Sequence, residues 1–307
     1  MALHLMASVT VGVPNLEETS AYYTEFGLTP AGDGWFSTVD GGRQLRLVRS
    51  PLRRLIGFTI GVDDADDLSR AAARLARLGV ASNRSGDRLT SSDPVTGTVV
   101  TLRVLDQLRQ RESPALRYNA PGRVIRVGAR SPGVMRDGRV APRKLGHVVL
   151  GTTDFAVSKA YYVDGVGFKV SDIVKEAGAF LRCTTDHHNL LLLRAPVNFL
   201  HHTSWQLDDI DDVGRGAMAM LDGHPERHVW GLGRHHVGSN FFWYLKDPAG
   251  NFSEYYCDTD CIVEDQLWKP ETFEGALGMY NWGPPPPPSF LRPDDLAALM
   301  TGAHNAA

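Results

Sequence analysis

The chain contains two imperfect copies of one pattern, and this internal repeat limits the folds open to it more than any other feature. Val9 to Tyr23 aligns without a gap on Val148 to Tyr162. Gly57 to Leu68 aligns on His202 to Val213, and both stretches end in a run that keeps four aspartates, Asp63, Asp64, Asp66 and Asp67 against Asp208, Asp209, Asp211 and Asp212. A third match sets Asp93, Pro94 and Gly97 beside Asp247, Pro248 and Gly250, with one residue inserted in the first copy. Three positions then differ in a telling way. Ser8, Gly57 and Thr101 of the first copy stand opposite His147, His202 and Glu254 of the second.

Each copy opens with a short apolar or alternating run, passes an Asp or Asn turn, and enters a helical stretch that ends in Gly27-Leu28 or Gly167-Phe168. In the second copy, strands are expected at 146–152, 169–174, 179–183 and 189–194, and the order then repeats. The next unit has a strand at 202–207, a helix at 211–221 begun by Asp, and strands at 240–245 and 252–257 around a Pro/Gly turn at 247–250. The fold class is therefore α+β, with four βαβββ modules in two tandem domains. The first domain is assigned to 1–105, without metal ligands, and the metal-binding domain to 144–260. An Arg-, Pro- and Gly-rich linker occupies 106–143. Residues 261–307 form an arm whose run Pro284 to Pro288, flanked by Trp282 and Phe290, should lie extended over a domain surface.

Composition removes several function classes. With 307 residues, 43% of them hydrophobic, the chain can bury two cores. A formal charge of −3 and dispersed Lys and Arg give no footprint for nucleic acid, so Arg109, Arg111 and Arg117 read as a solvated connector. No run of 18 apolar residues is present, so no spanning helix is expected. The start lacks the basic region of a secretory signal. Cys183, Cys257 and Cys261 are an odd number without C-x-x-C spacing, which points to reduced thiols in the cytoplasm.

A lone strand histidine is ordinarily a hydrogen-bonded core or surface residue. Here His147, His202 and Glu254 fall together at three repeat positions where the sister copy has no good ligand. Two imidazoles and a carboxylate on one face of an octahedral ion leave three adjacent positions open, the arrangement used by non-haem Fe(II) oxygenases. His201 competes with His202, but adjacent strand residues face opposite sides of a sheet. The repeat alignment selects His202, and His201 is expected to point away. The four aspartates after it recur in the first copy, so turn and N-cap chemistry explains them better than a hard-cation site.

The motifs at Leu145 to Leu150, Asp186 to Asn189, Leu200 to Thr203, Gly233 to His235 and Tyr244 to Glu254 resemble those of the type I extradiol ring-cleaving dioxygenases of the vicinal oxygen chelate superfamily. The resemblance covers roughly 8–260. It implies the glyoxalase/bleomycin resistance/dioxygenase fold and Fe(II), less often Mn(II), held by His147, His202 and Glu254. It also implies a catecholic substrate opened with O2 to a semialdehyde-type product, His188 as acid-base residue, Tyr244 as substrate contact, and His235 near the catechol. A homo-oligomer is expected, with neither nucleic acid nor membrane as partner. His188 suits proton transfer because an unperturbed imidazole titrates near neutrality. Its neighbour His187 should face the other way, as a surface residue. Phe180, Phe199 and Trp243 are candidates for an apolar pocket wall. Val237 departs from the pattern, since many biphenyl-diol cleaving members carry Asn there.

Two rival functions remain open to the sequence. A glyoxalase-type lyase or isomerase would keep the fold but commonly uses four protein ligands. A small-molecule sequestration protein of the same fold would lack the triad.

Overall fold

The computed structural model describes residues 3–114 and 117–304; residues 1, 2, 115, 116 and 305–307, which fall in the expected first domain, linker and arm, lie outside the described residues. In the first half, β1 (Leu3–Val13), α1 (Leu16–Glu25), β2 (Thr29–Pro30), β3 (Trp35–Thr38) and β4 (Gly42–Arg49) make one module. A second follows as β5 (Arg54–Val62), α2 (Ala65–Arg77), β6 (Ser82–Ser85), β7 (Arg88–Ser92) and β8 (Val99–Val104). A short helix α3 (Pro132–Met135) lies in the connector. The second half then repeats the order with β9 (Lys144–Thr152), α4 (Phe155–Ala160, continued by a π turn over Tyr161–Val166), β10 (Lys169–Val174), β11 (Gly178–Arg182) and β12 (Leu190–Arg194). The last module is β13 (Phe199–Gln206), α5 (Ile210–Leu221), β14 (His228–Arg234), β15 (Phe241–Lys246) and β16 (Phe252–Cys257). Past it come β17 (Thr272–Phe273), α6 (Pro288–Leu291) and α7 (Leu296–His304). The strand β14 falls where the sequence pattern gave no strand, because Gly231 and Gly233 interrupt its apolar alternation.

Both sheets are mixed. The first runs β2-β3-β4-β1-β5-β8-β7-β6 and the second β14-β15-β16-β13-β9-β12-β11-β10-β17. Their central ladders share one register. Ser8 pairs with Thr59 and Thr10 with Gly57 between β1 and β5, while His147 pairs with Ser204 and Val149 with His202 between β9 and β13. Thr59 then pairs with Thr101, and Ser204 with Glu254. The three positions that differ between the copies are thus equivalent in space as well as in sequence.

The repeated aspartates cap helices. The Asp67 amide donates to Asp64 at the start of α2, and the Asp212 amide donates to Asp209 at the start of α5, each satisfying a free helical N–H. Arg136 from the connector binds Asp209 and Asp212 and so straps the connector to α5.

One hydrophobic core runs through both halves. Phe26 at the end of α1 stacks on Tyr255 of β16 with centroids 3.9 Å apart, and the Tyr255 hydroxyl donates to the Phe26 carbonyl at 2.6 Å. From the other side, the Tyr161 hydroxyl and Ser91 are hydrogen bonded at 2.7 Å. Such offset aromatic pairs add to ordinary burial. Helix α1 therefore packs on the second sheet, and the first half forms part of the wall behind the second. Among the described residues no helix is long and apolar enough to cross a membrane.

Candidate active site

The ladder register builds the site. His147 on β9 and Glu254 on β16 both pair with Ser204 of β13, so their side chains stand in one row across the sheet. His202, two residues before Ser204, shares that face. Nε2 of His147 and Nε2 of His202 lie 3.3 Å apart, and Oε2 of Glu254 is 3.0 Å from the first and 3.6 Å from the second. All three side chains are buried, and their ligand atoms lie within 4.8 Å of one another.

Whether these residues suit a cation turns on one atom. Oε2 of Glu254 is fully buried and makes no hydrogen bond, although a buried carboxylate oxygen without a partner is costly. Oε1 accepts from Nδ2 of Asn240 at 3.3 Å. Burial acts to raise the Glu254 pKa, yet the surrounding His147, His235 and His202 hold it well below the ordinary carboxylate range. An anionic oxygen turned toward two imidazole nitrogens whose rings line a cavity is a donor set for a divalent ion. It suits Fe(II) or Mn(II) by ligand type.

Around the triad stand four more histidines, not the two that face inward in the sequence reading. His187 is fully buried rather than on the surface. Its Nε2 donates to Oδ2 of Asp172 at 2.8 Å, which leaves Nδ1 as acceptor for Nδ1–H of His188 at 3.0 Å. The lone pair of His188 is then on Nε2, on a ring that lines the cavity beside His147. Burial, and then the nearby His147, push His188 well below its usual pKa, so the ring is neutral. Gly238, at φ +84°, lets the main chain pass this pair, since a β-carbon there would sit 3.2 Å from Nδ1 of His187.

His201 also departs from expectation. A β-bulge between Leu200 and His202 breaks the alternation of β13, so both rings turn inward, with Nδ1 of one 2.7 Å from Nδ1 of the other. His235 lies at the end of β14, where its Nε2 accepts from the Tyr244 hydroxyl at 2.9 Å. Burial, and then the Glu254 charge, raise the Tyr244 pKa well above its usual value, so the phenol keeps its proton.

These groups open on a cavity of about 610 Å³ walled by Val149, Phe180, Leu191, Phe199, Val237 and Phe290. Trp243 is not in the wall. It alternates with Phe242 and Tyr244 along β15 and donates to Nδ1 of His228 on the other face. Asp172, Asn240 and Phe290 belong to the site without having been singled out in the sequence. A buried strand Asp within a polar alternation was the only available signal for the first, and the arm's aromatic flank for the last.

In the first copy the corresponding space is closed. A β-carbon at Gly57 would meet the Val99 carbonyl at 2.4 Å, so no ligand side chain fits where His202 stands in the second.

Comparison with known proteins gives a consistent result. Residues 144–255 match the Glyoxalase/Bleomycin resistance protein/Dioxygenase superfamily. The chain is 31% identical over 302 residues to Metapyrocatechase 2 of Cupriavidus necator, spanning 95% of this chain and 92% of that one. It is 27% identical over 156 residues to the manganese-dependent 2,3-dihydroxybiphenyl 1,2-dioxygenase of Geobacillus genomosp. 3, spanning 47% of this chain and 50% of that one. Among solved structures, the Mn(II)-bound glyoxalase from Novosphingobium aromaticivorans superposes with a TM-score of 0.73 at 24% identity, over 93% of each chain. A variant of homoprotocatechuate 2,3-dioxygenase from B. fuscum superposes with a TM-score of 0.74 at 18% identity, over 94% of this chain and 81% of that one. The structural likenesses carry the fold alone.

Proposed function

The chain belongs to the type I extradiol ring-cleaving dioxygenases of the vicinal oxygen chelate superfamily, and on that premise we propose that it opens a catecholic ring beside its two hydroxyls, inserting both atoms of O2. His147, His202 and Glu254 would hold Fe(II), or Mn(II), the unpartnered Oε2 of Glu254 being the observation that carries the assignment. The bound ion would bring diol and dioxygen side by side and pass electron density from one to the other.

The remaining chemistry belongs to the chain's own side chains. His188, neutral and with its lone pair on Nε2, takes a proton from a catechol hydroxyl and later returns one. Tyr244 keeps its proton and offers a hydrogen bond to a substrate oxygen on the opposite side, with His235 as its alternative acceptor. Val149, Phe180, Leu191 and Val237 sandwich the ring and exclude water, which strengthens each of these polar contacts. Substrate plus O2 balances the ring-opened semialdehyde, so no external reductant is needed.

Among the described residues no fourth His, Cys, Asp or Glu joins the three, which favours this reading over a glyoxalase-type isomerase. The three cysteines are unpaired, in keeping with a cytoplasmic enzyme. Self-association belongs to the same reading and is read out by sedimentation. The deciding experiment is anaerobic purification, metal analysis, and a panel of catechols with O2. A coloured semialdehyde with one O2 consumed per ring supports the proposal. A metal-loaded protein inert to every catechol but active on a thiol adduct refutes it.

A further inference from the structure

We propose that the C-terminal arm sets the tautomers of the inner histidines: the main-chain carbonyls of Phe290 and Met279 fix the protons of His201 and His235, and through them the proton of His202 and the direction of the Tyr244 hydroxyl. The inference rests on His202 being a metal ligand and deepens that assignment.

A carbonyl oxygen only accepts, so a ring nitrogen facing it at hydrogen-bond distance carries the hydrogen. Nε2 of His201 lies 2.7 Å from the Phe290 carbonyl, and this ring therefore bears its proton on Nε2. A neutral imidazole carries one ring proton, and the buried His201 ring has placed it against the Phe290 carbonyl. Nδ1 of His201 is a bare acceptor. It faces Nδ1 of His202 at 2.7 Å, and the one proton that contact needs must come from His202. His202 is left with its lone pair on Nε2, the nitrogen turned toward His147 and Glu254. Metal-binding imidazoles depend on such outer partners for tautomer and orientation. Here the partner is a second histidine that relays the choice from the arm.

The second branch has the same logic. Nδ1 of His235 lies 2.5 Å from the Met279 carbonyl, which places a proton on that nitrogen and leaves Nε2 facing the Tyr244 hydroxyl at 2.9 Å as its acceptor.

The arm is held firmly enough for this work. Nε1 of Trp230 donates to the carbonyl of Pro284, so the polyproline run is fastened at its start. The Phe290 ring is buried among Trp230, Tyr244 and Phe252. Arg53, 3% exposed, grips both oxygens of Asp295 at 2.5 and 2.8 Å just before α7.

The test reads protons and metal separately from turnover. In the full-length protein loaded with diamagnetic Zn(II), nitrogen-15 NMR of labelled histidines should find His201 protonated at Nε2 and His202 and His235 protonated at Nδ1. His201→Phe keeps the volume but cannot accept, and competition against a chelator should then find Mn(II) binding weaker by about 10- to 100-fold. His201→Asn, whose Oδ1 can take the place of Nδ1, should keep most of the affinity. A His201 ring protonated at Nδ1, or a folded His201→Phe protein that binds Mn(II) as the wild type does, overturns the inference. Should His201→Phe fail to fold, the NMR result decides alone. A wild-type protein with no affinity for Mn(II) or Fe(II) would instead refute the metal assignment beneath it.

Discussion

The Tyr244 hydroxyl lies 2.9 Å from Nε2 of His235, so the proposed substrate donor already has a partner before any ligand arrives. Tyr244→Phe removes the donor without removing the ring that packs on Trp230 and Phe290. The loss of one neutral hydrogen bond predicts a fall in kcat/KM of about tenfold on a catechol. Metal content should stay at the wild-type level, which steady-state kinetics beside metal analysis will establish.

His188→Ala should lower kcat by about 100- to 10,000-fold, the usual worth of a positioned acid-base group. Because His188 is not one of the three converging ligands, chelator competition should find Mn(II) affinity little changed. A parallel loss of metal would show that the residue acts on the ion and not on the proton.

Asp172 reaches the cavity only through His187 and His188. Asp172→Asn weakens the acceptor that fixes the first ring, so the second is less often in its productive tautomer. A fall in kcat of about tenfold is expected with KM nearly unchanged. Asp172→Glu should recover part of the rate. Equal damage from both variants would mean that the residue serves packing alone, through its bond from the Glu271 amide.

Glu254→Gln removes the anionic oxygen and should abolish metal-dependent stabilisation. The wild-type protein should gain about 2.7 kcal/mol of stability at a Mn(II) concentration near 100 times Kd. Denaturant titrations with and without Mn(II) will separate the two proteins, and a Glu254→Gln protein that still gains would count against the site.

Burial raises the Asp247 pKa to about 6, against an ordinary value of 3.8. In the folded protein the neutral form is favoured, so the unfolded chain releases this proton first. Its stabilising contribution is full below about pH 4 and is lost as pH rises through about 6. Relative to Asp247→Asn, the wild type should therefore lose roughly 3 kcal/mol between pH 3 and pH 8. Unfolding curves of the two proteins that run parallel across that range would refute the claim.

The repeat makes the triad legible in the sequence, because the alignment of two copies is also an alignment of ladder register: His147, Ser204 and Glu254 repeat Ser8, Thr59 and Thr101. The α+β modules followed from the same periodicity. Less visible were features that depend on a local break or a distant partner. The bulge that turns His201 inward has no residue signature, and the rule of alternating faces fails there. His187 is inward-facing because Asp172 waits on the neighbouring part of the sheet, which nothing in the run from Asp186 to Asn189 announces. The carbonyls of Phe290 and Met279 belong to the main chain, so side-chain identity could not reveal them. Trp243 was misplaced for the opposite reason, since strict alternation along β15 sends it to the far face.

Arg53 comes from the half that has no ligands, yet its guanidinium fastens the segment whose carbonyl meets His201 and also donates to the Leu200 carbonyl beside it at 2.6 Å. Excising the second half as a minimal catalyst would cut that fastening. Grafting it onto another scaffold would require a replacement cation at the same place. The copy without the triad thus serves as a jig that holds the working copy's arm in place.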